Sequence, residues 1–122
     1  MLGLLTPTDP AWVDAAQSDL DGLLSDHAHC ELKAAQSALS LLGRFAGEAP
    51  ALVEPLTELA REEILHFAQV EQRLQKRGVR LGQPQSDAYV GQLRAASRID
   101  RHAGESPLLD RLLIAALIEG RS

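Results

Sequence analysis

Aromatic side chains make up only 3% of this 122-residue chain, and cysteine occurs once, as Cys30. A single cysteine excludes an intramolecular disulfide framework and fits a reducing compartment. No apolar run reaches the length of a membrane-spanning helix. Residues 1–5 lack the basic start and long apolar stretch of a signal peptide. We therefore expect a cytoplasmic protein with no membrane contact.

Strand patterns are also missing, because Val, Ile and Thr are sparse and never alternate with polar residues over a useful length. Leu and Ala are abundant instead, and both favour helices. The expected class is all-α, as one domain over residues 1–122. The predicted helices cover about 10–17, 19–46, a segment opened by Pro50 or Pro55 and capped by Gly78, 86–102, and 106–122. The last helix is still in progress at Ser122, which predicts a missing C-terminal part.

Three glutamates interrupt helix stripes that are otherwise mostly apolar, namely Glu31, Glu63 and Glu119. An unpaired carboxylate in a core costs several kcal/mol, so something must compensate for the three charges. A metal ion does so, because carboxylate and imidazole are its ligands. The stripes are Leu24, Ala28, Glu31, Ala35, Ala38, Leu42 and Phe45; Leu52, Leu56, Leu59, Glu63, His66 and Val70; and Leu108, Leu112, Ala115 and Glu119.

Glu63 and His66 lie three residues apart, so both side chains reach one side of their helix. A Glu-x-x-His pair alone is a weak signal, but three stripe-centred glutamates in this helix order are far less frequent by chance. Four-helix di-iron proteins use one Glu from each of two helices and a Glu-x-x-His from each of the other two. Glu31, Glu63, His66 and Glu119 supply all but the second Glu-x-x-His. The sequence therefore predicts a ferritin-like four-helix bundle with about three of its core helices in this chain.

The other candidate ligands are weaker. His27 lies one turn before Glu31 and is interpreted as a packed neighbour of the site rather than a ligand. His29 and His102 are expected on the surface, and Cys30 is expected to fill a small space in the core. Glu62 is off the stripe and expected in solvent.

Basic residues concentrate between Arg73 and Arg101, where seven Lys or Arg accompany two Asp, although the whole chain carries a net charge of −5. This segregation indicates either a solvated face or a surface for an anion such as RNA. The candidate RNA-binding residues are Lys76, Arg77, Arg80, Arg94, Arg98 and Arg101. The last three recur at four-then-three spacing and so share one helix face.

Several blocks of the sequence resemble the bacterial tRNA hydroxylase family. They are Leu5-Thr6-Pro7, Pro10-Ala11-Trp12, Asp26-His27-Ala28-His29-Cys30-Glu31, Leu59-Ala60-Arg61-Glu62-Glu63 with His66-Phe67, and Ile118-Glu119-Gly120-Arg121-Ser122. The resemblance implies a ferritin-like non-haem di-iron monooxygenase that hydroxylates the isopentenyl group of methylthio-isopentenyl-adenosine in tRNA. It also implies iron as cofactor, O₂ as co-substrate, an external electron donor of the ferredoxin/reductase type, and Glu31, Glu63, His66 and Glu119 as metal ligands. No catalytic residue is expected beyond these ligands.

Members of that family continue past the position of Ser122 into a fourth helix with the second Glu-x-x-His. Either a longer chain or a second copy is therefore expected to complete the site. The alternative function is a dimeric ferritin-like iron-binding or ferroxidase protein, in which two copies of Glu31, Glu63 and His66 form the di-iron set without RNA. A metal-free helical interaction module is a third possibility.

Overall fold

The structure, a computed structural model, describes residues 7–86, 88–99 and 106–119 apart from the side chains of Arg98 and Ile99. These ranges contain helices and loops and no strand, which confirms the all-α prediction. The helices are α1 Ala11–Ser18, α2 Leu20–Phe45, α3 Val53–Lys76, α4 Ala88–Ile99 and α5 Leu108–Glu119. None of them is long and apolar enough to cross a membrane, as far as the described residues go.

The chain divides into two compact units, Leu4–Gln85 and Ser86–Ser122 with Met1–Gly3. The first contains α1, α2 and α3, and the second contains α4 and α5, which contact each other. The single domain expected over 1–122 stays a prediction. The predicted ends of the last two helices, at residues 100–102 and 120–122, lie outside the described residues.

Local signals fix the ends of α2 and α3. The Asp19 carboxylate caps α2 by accepting a hydrogen bond of 3.0 Å from the Gly22 backbone N–H. A 3₁₀ turn, Pro50–Leu52, leads into α3, so Pro50 rather than Pro55 opens this segment. At the other end Gly78 adopts a φ of +73°, a left-handed conformation that ends the helix. The predicted Gly78 cap is therefore confirmed.

The core of the first unit is the interface between α2 and α3, which is rich in alanine. Small side chains let two helices pack closely, and the predicted apolar stripes supply most of the contact surface. Burying each larger side chain contributes about 1.5–3 kcal/mol. The buried apolar residues are Ala28, Ala35, Ala38, Leu41 and Phe45 from α2, and Leu56, Ala60, Val70 and Leu74 from α3.

A ladder of four polar side chains on another face of α2 holds the segment that follows α3. Asp21, Ser25, His29 and Lys33 recur every four residues and so lie in a row. Asp21 pairs with Arg77, and the Ser25 hydroxyl accepts a 2.8 Å hydrogen bond from the Gly82 N–H.

The other two ladder residues, His29 and Lys33, donate hydrogen bonds to backbone carbonyl groups. His29 Nε2 donates to Gly82 O at 2.7 Å, and Lys33 Nζ donates to Gln85 O at 3.0 Å. A Cβ at position 82 would lie 2.9 Å from the Ser25 hydroxyl, so a larger residue would displace that hydroxyl from its hydrogen bond. The ladder therefore fixes residues 77–85 against α2.

Two minor predictions were wrong. His29 was expected on the surface, but it is buried because the segment around Gly82 covers it. Cys30 was expected to fill space in the core, but it is exposed, since it faces away from both the core stripe and the ladder. Glu62 is exposed as predicted, and His102 lies outside the described residues.

Replacing His29 with Ala should lower the free energy of unfolding by about 1–2 kcal/mol, because a hydrogen bond and buried contacts are lost. Urea denaturation measures the loss. Hydrogen exchange should also be faster at the Gly82 amide in this variant, because the segment loses one of its attachments to α2.

Gln36→Ala is the matched control, since Gln36 is exposed on the same helix. It should change the free energy of unfolding by no more than about 0.5 kcal/mol. If His29→Ala had the same free energy of unfolding and the same hydrogen exchange at the Gly82 amide as this control, the His29 hydrogen bond would contribute nothing to stability.

Candidate metal centre

Three of the predicted ligands converge in the interface between α2 and α3. Glu31 lies at the middle of α2, while Glu63 and His66 lie on neighbouring turns of α3. One donor atom from each of the three lies within 4.8 Å of the others. The packing of the two helices thus brings together two candidate ligands that are three residues apart and a third, Glu31, that lies 32 residues before Glu63.

The ring of His66 lies close to both carboxylates. His66 Nδ1 lies 3.6 Å from Glu63 Oε2 and 3.9 Å from Glu31 Oε2. Both separations exceed a normal hydrogen bond. Two ligands that each lie about 2.0–2.2 Å from one ion are separated by about 3–4 Å, so the spacing suits a shared cation.

The two carboxylates are shielded from water, while the imidazole is open to it. The side chains of Glu31 and Glu63 are 16% and 10% exposed, and that of His66 is 50% exposed. A hydrogen bond with the Glu31 carboxyl raises the pKa of Glu63, and burial and the negative charge of Glu31 raise it further. The nearby His66 opposes these effects and lowers the same pKa.

This arrangement fits a divalent metal ion. With little access to water and the Glu31 carboxylate beside it, Glu63 holds its proton more readily than an isolated carboxyl does, which is the response expected when no cation neutralises the pair. A cation would replace that proton and be bound by both carboxylates and the imidazole, which together form an oxygen-and-nitrogen ligand set typical of iron, manganese and zinc.

An open cleft of about 250 Å³ is lined by two of the three donors, Glu31 and His66. Its remaining lining residues are His27 from α2 and Gln69, Val70 and Arg73 from α3. Sequence reasoning did not assign Gln69 or Arg73 to the site. The signal was available, since Gln69 and Arg73 follow His66 at three and seven residues and so continue the same helix face.

The fourth predicted ligand, Glu119, is the last residue of α5 and is exposed. It belongs to the unit that contains α4 and α5, so its role as a ligand stays a prediction.

The six candidate RNA-binding residues are divided between the two units. Lys76, Arg77 and Arg80 are exposed around the end of α3, and Arg77 pairs with Asp21. Arg94 is exposed on α4, whereas the side chain of Arg98 and all of Arg101 lie outside the described residues. An RNA-binding role for these six residues stays a prediction.

A family model described as tRNA-(MS[2]IO[6]A)-hydroxylase (MiaE) matches residues 2–122, almost the entire chain. The chain belongs to the MiaE family. This membership confirms the family that the sequence blocks indicated.

Two curated relatives are each named tRNA 2-(methylsulfanyl)-N(6)-isopentenyladenosine(37) hydroxylase. The one from Pseudomonas putida is 40% identical over 116 residues, which cover 95% of this chain and 55% of the relative. The one from Salmonella typhimurium is 26% identical over 165 residues, which cover 95% of this chain and 60% of the relative. The chain therefore spans somewhat more than half the length of these relatives.

A solved structure shares the fold with a TM-score of 0.79 and 39% sequence identity. It is named Protein 43 with aldehyde deformylating oxygenase activity from Synechococcus, and the match covers 99% of this chain and 58% of that one. The likeness confirms the ferritin-like helical fold class predicted from the sequence.

Glu63→Gln should stabilise the metal-free protein near neutral pH, because one of two adjacent carboxylates loses its charge. The raised pKa means that the folded state binds the Glu63 proton more tightly than the unfolded state. The free energy of unfolding of the wild type therefore falls as the pH rises from 4.5, the pKa of Glu63 in the unfolded state, through its raised pKa in the folded state. The variant does not show this decrease.

Urea denaturation of chelator-treated protein at about pH 4 and about pH 7.5 measures the effect. The advantage of Glu63→Gln should be present at the higher pH and much smaller at the lower one, where Glu63 is mostly protonated in both states. The exposed Glu62→Gln serves as control. An equal effect of Glu63→Gln at both pH values would mean that charge at this position does not oppose folding.

Proposed function

We propose that this chain forms part of a non-haem di-iron monooxygenase that hydroxylates the isopentenyl group of methylthio-isopentenyl-adenosine in tRNA. The observation that carries the proposal is the convergence of Glu31, Glu63 and His66 within 4.8 Å in a chain of the MiaE family. The names of both curated relatives support the same substrate.

Glu31, Glu63 and His66 would hold iron, and Glu119 would add a further carboxylate to the complete site. The two shielded carboxylates supply negative charge that holds the cation, and His66 supplies a neutral nitrogen donor. Iron, when bound, supplies the activation of O₂ for attack on an unactivated C–H bond. The cleft beside the donors gives a substrate group room next to the metal ligands.

Hydroxylation inserts one oxygen atom of O₂ into a C–H bond and releases the other as water, which consumes two electrons and two protons. The resemblance to the tRNA hydroxylases implies that an external donor of the ferredoxin/reductase type would supply these electrons. Since tRNA is the substrate in this proposal, the cytoplasm is the expected location.

A second candidate function is a dimeric iron-binding protein or ferroxidase. The observation that favours it is that the α2–α3 hairpin alone contains one Glu and one Glu-x-x-His in contact. Two copies of the hairpin would supply the ligand set of a di-iron bundle. This function needs no RNA, so tRNA binding separates the two candidates.

The wild-type chain should bind Fe²⁺, and Glu63→Ala combined with His66→Ala should abolish most of this binding, because two of the three converging donors are lost. Elemental analysis after anaerobic loading gives the iron content per chain. With tRNA, O₂ and an electron donor, wild type should also yield a nucleoside heavier by one oxygen atom.

Glu62→Ala is the matched control, because it removes an exposed carboxylate adjacent to the site. It should leave the iron content unchanged. Equal iron in wild type and in the double variant would refute the ligand assignment. Iron bound as expected without any tRNA product would favour the ferroxidase.

Combining Lys76→Glu with Arg80→Glu should weaken tRNA binding, because both side chains are exposed and would contact phosphates. Each lost phosphate contact lowers the slope of log affinity against log salt by about 0.7–0.9, so the slope should fall by about 1.5. Titrations of tRNA across a salt series measure both quantities.

Arg61→Glu is the control for charge reversal as such, since Arg61 is exposed on the same helix but lies outside the basic segment. It should have the affinity and salt slope of wild type. If the Lys76/Arg80 variant behaved like this control, the basic residues at the end of α3 would be a solvated face.

A further inference from the structure

The two carboxylate oxygens of Glu31 face different partners. Oε1 lies 3.2 Å from Nε2 of His27, one turn earlier on α2. Oε2 lies 3.9 Å from Nδ1 of His66, on the side where Glu63 and His66 converge. One oxygen is therefore engaged outside the group of donors, and the other is directed into it.

Of the two histidine contacts of Glu31, the one with His27 is short enough for a hydrogen bond and the one with His66 is not. A ring N–H that donates to a carboxylate forms a stronger bond than a neutral pair does. The terminal torsion of a Glu side chain is otherwise soft and has no sharp preference. A donor held on Oε1 therefore selects one rotation of the carboxylate plane.

We propose that His27 is a positioning residue for the metal centre: its hydrogen bond to Oε1 orients Glu31 so that Oε2 is presented to the metal ion. The inference rests on the proposed iron-binding function and concerns how that site is organised. It requires only that Nε2 bear a proton, which holds for one neutral tautomer and for the charged ring alike.

The environment of His27 distinguishes this role from a packing role. Its side chain is 54% exposed, whereas that of Glu31 is 16% exposed. An imidazole so open to solvent fills no part of the α2–α3 core, so its removal leaves the hairpin intact.

The test compares His27→Ala with His27→Gln, because a Gln side chain can still donate to a carboxylate one turn away. Titrations of the full chain use Fe²⁺ under anaerobic conditions and Co²⁺, whose visible absorption reports the number and arrangement of ligands. Loss of a hydrogen bond that orients a ligand weakens metal binding about 10- to 100-fold. His27→Ala should show this loss at unchanged stoichiometry, with an altered Co²⁺ spectrum, and His27→Gln should restore most of both.

Gln36→Ala on the exposed side of α2 is the control and should match wild type. Thermal unfolding of the metal-free variants checks that all are folded. If His27→Ala had the metal affinity and the Co²⁺ spectrum of the wild type, the inference would be overturned, while the proposed iron binding would remain. A His27→Gln protein as weak as His27→Ala, with fewer ions bound, would also overturn it and make His27 a ligand. A wild-type chain that binds neither Fe²⁺ nor Co²⁺ would refute the proposed function itself, and the inference with it.

Discussion

Two carboxylates that lie side by side at a helix interface impose the main constraint on this molecule. Glu31 and Glu63 are both shielded from water, and the negative charge of Glu31 disfavours the charged form of Glu63. A partner of opposite charge, or a shared proton, is needed to keep them there. The donor spacing and the imidazole of His66 make a metal ion the natural partner for the two carboxylates.

The packing around the carboxylates serves this constraint. Ala28 and Ala35 flank Glu31 on the core face of α2 and are fully buried, so the two helices come close and the glutamates meet. On another face the same helix holds residues 77–85 through the ladder that includes Ser25 and His29. One helix therefore both carries the candidate ligand Glu31 and fixes the segment that follows α3.

The fold alone does not specify the reaction. The curated relatives are named as tRNA hydroxylases, while the solved structure with the same fold is named for aldehyde deformylating oxygenase activity. A ferritin-like bundle hosts different oxidations because the metal chemistry is common and the substrate contacts vary. In this chain, the residues that could provide such variable substrate contacts are those that line the cleft beside the donors, such as Gln69 and Arg73, and the basic residues after α3.

The sequence by itself determined the helices and their core faces. The long α2 and α3 follow from Leu- and Ala-rich periodicity, from the Gly78 signal at the end of α3, and from glutamates on otherwise apolar stripes. These features depend on neighbours within a turn or two, which a sequence displays directly.

Only the tertiary structure decided which stripe residues meet and which are covered. His29 is buried because Gly82, 53 residues later, returns to it, and His66 stays half open although it shares a stripe with buried leucines. The division of the two Glu31 oxygens between His27 and His66 depends on how α2 and α3 are placed against each other. Such contacts join residues far apart in the chain, and helical periodicity specifies the face of a helix but not what lies against it.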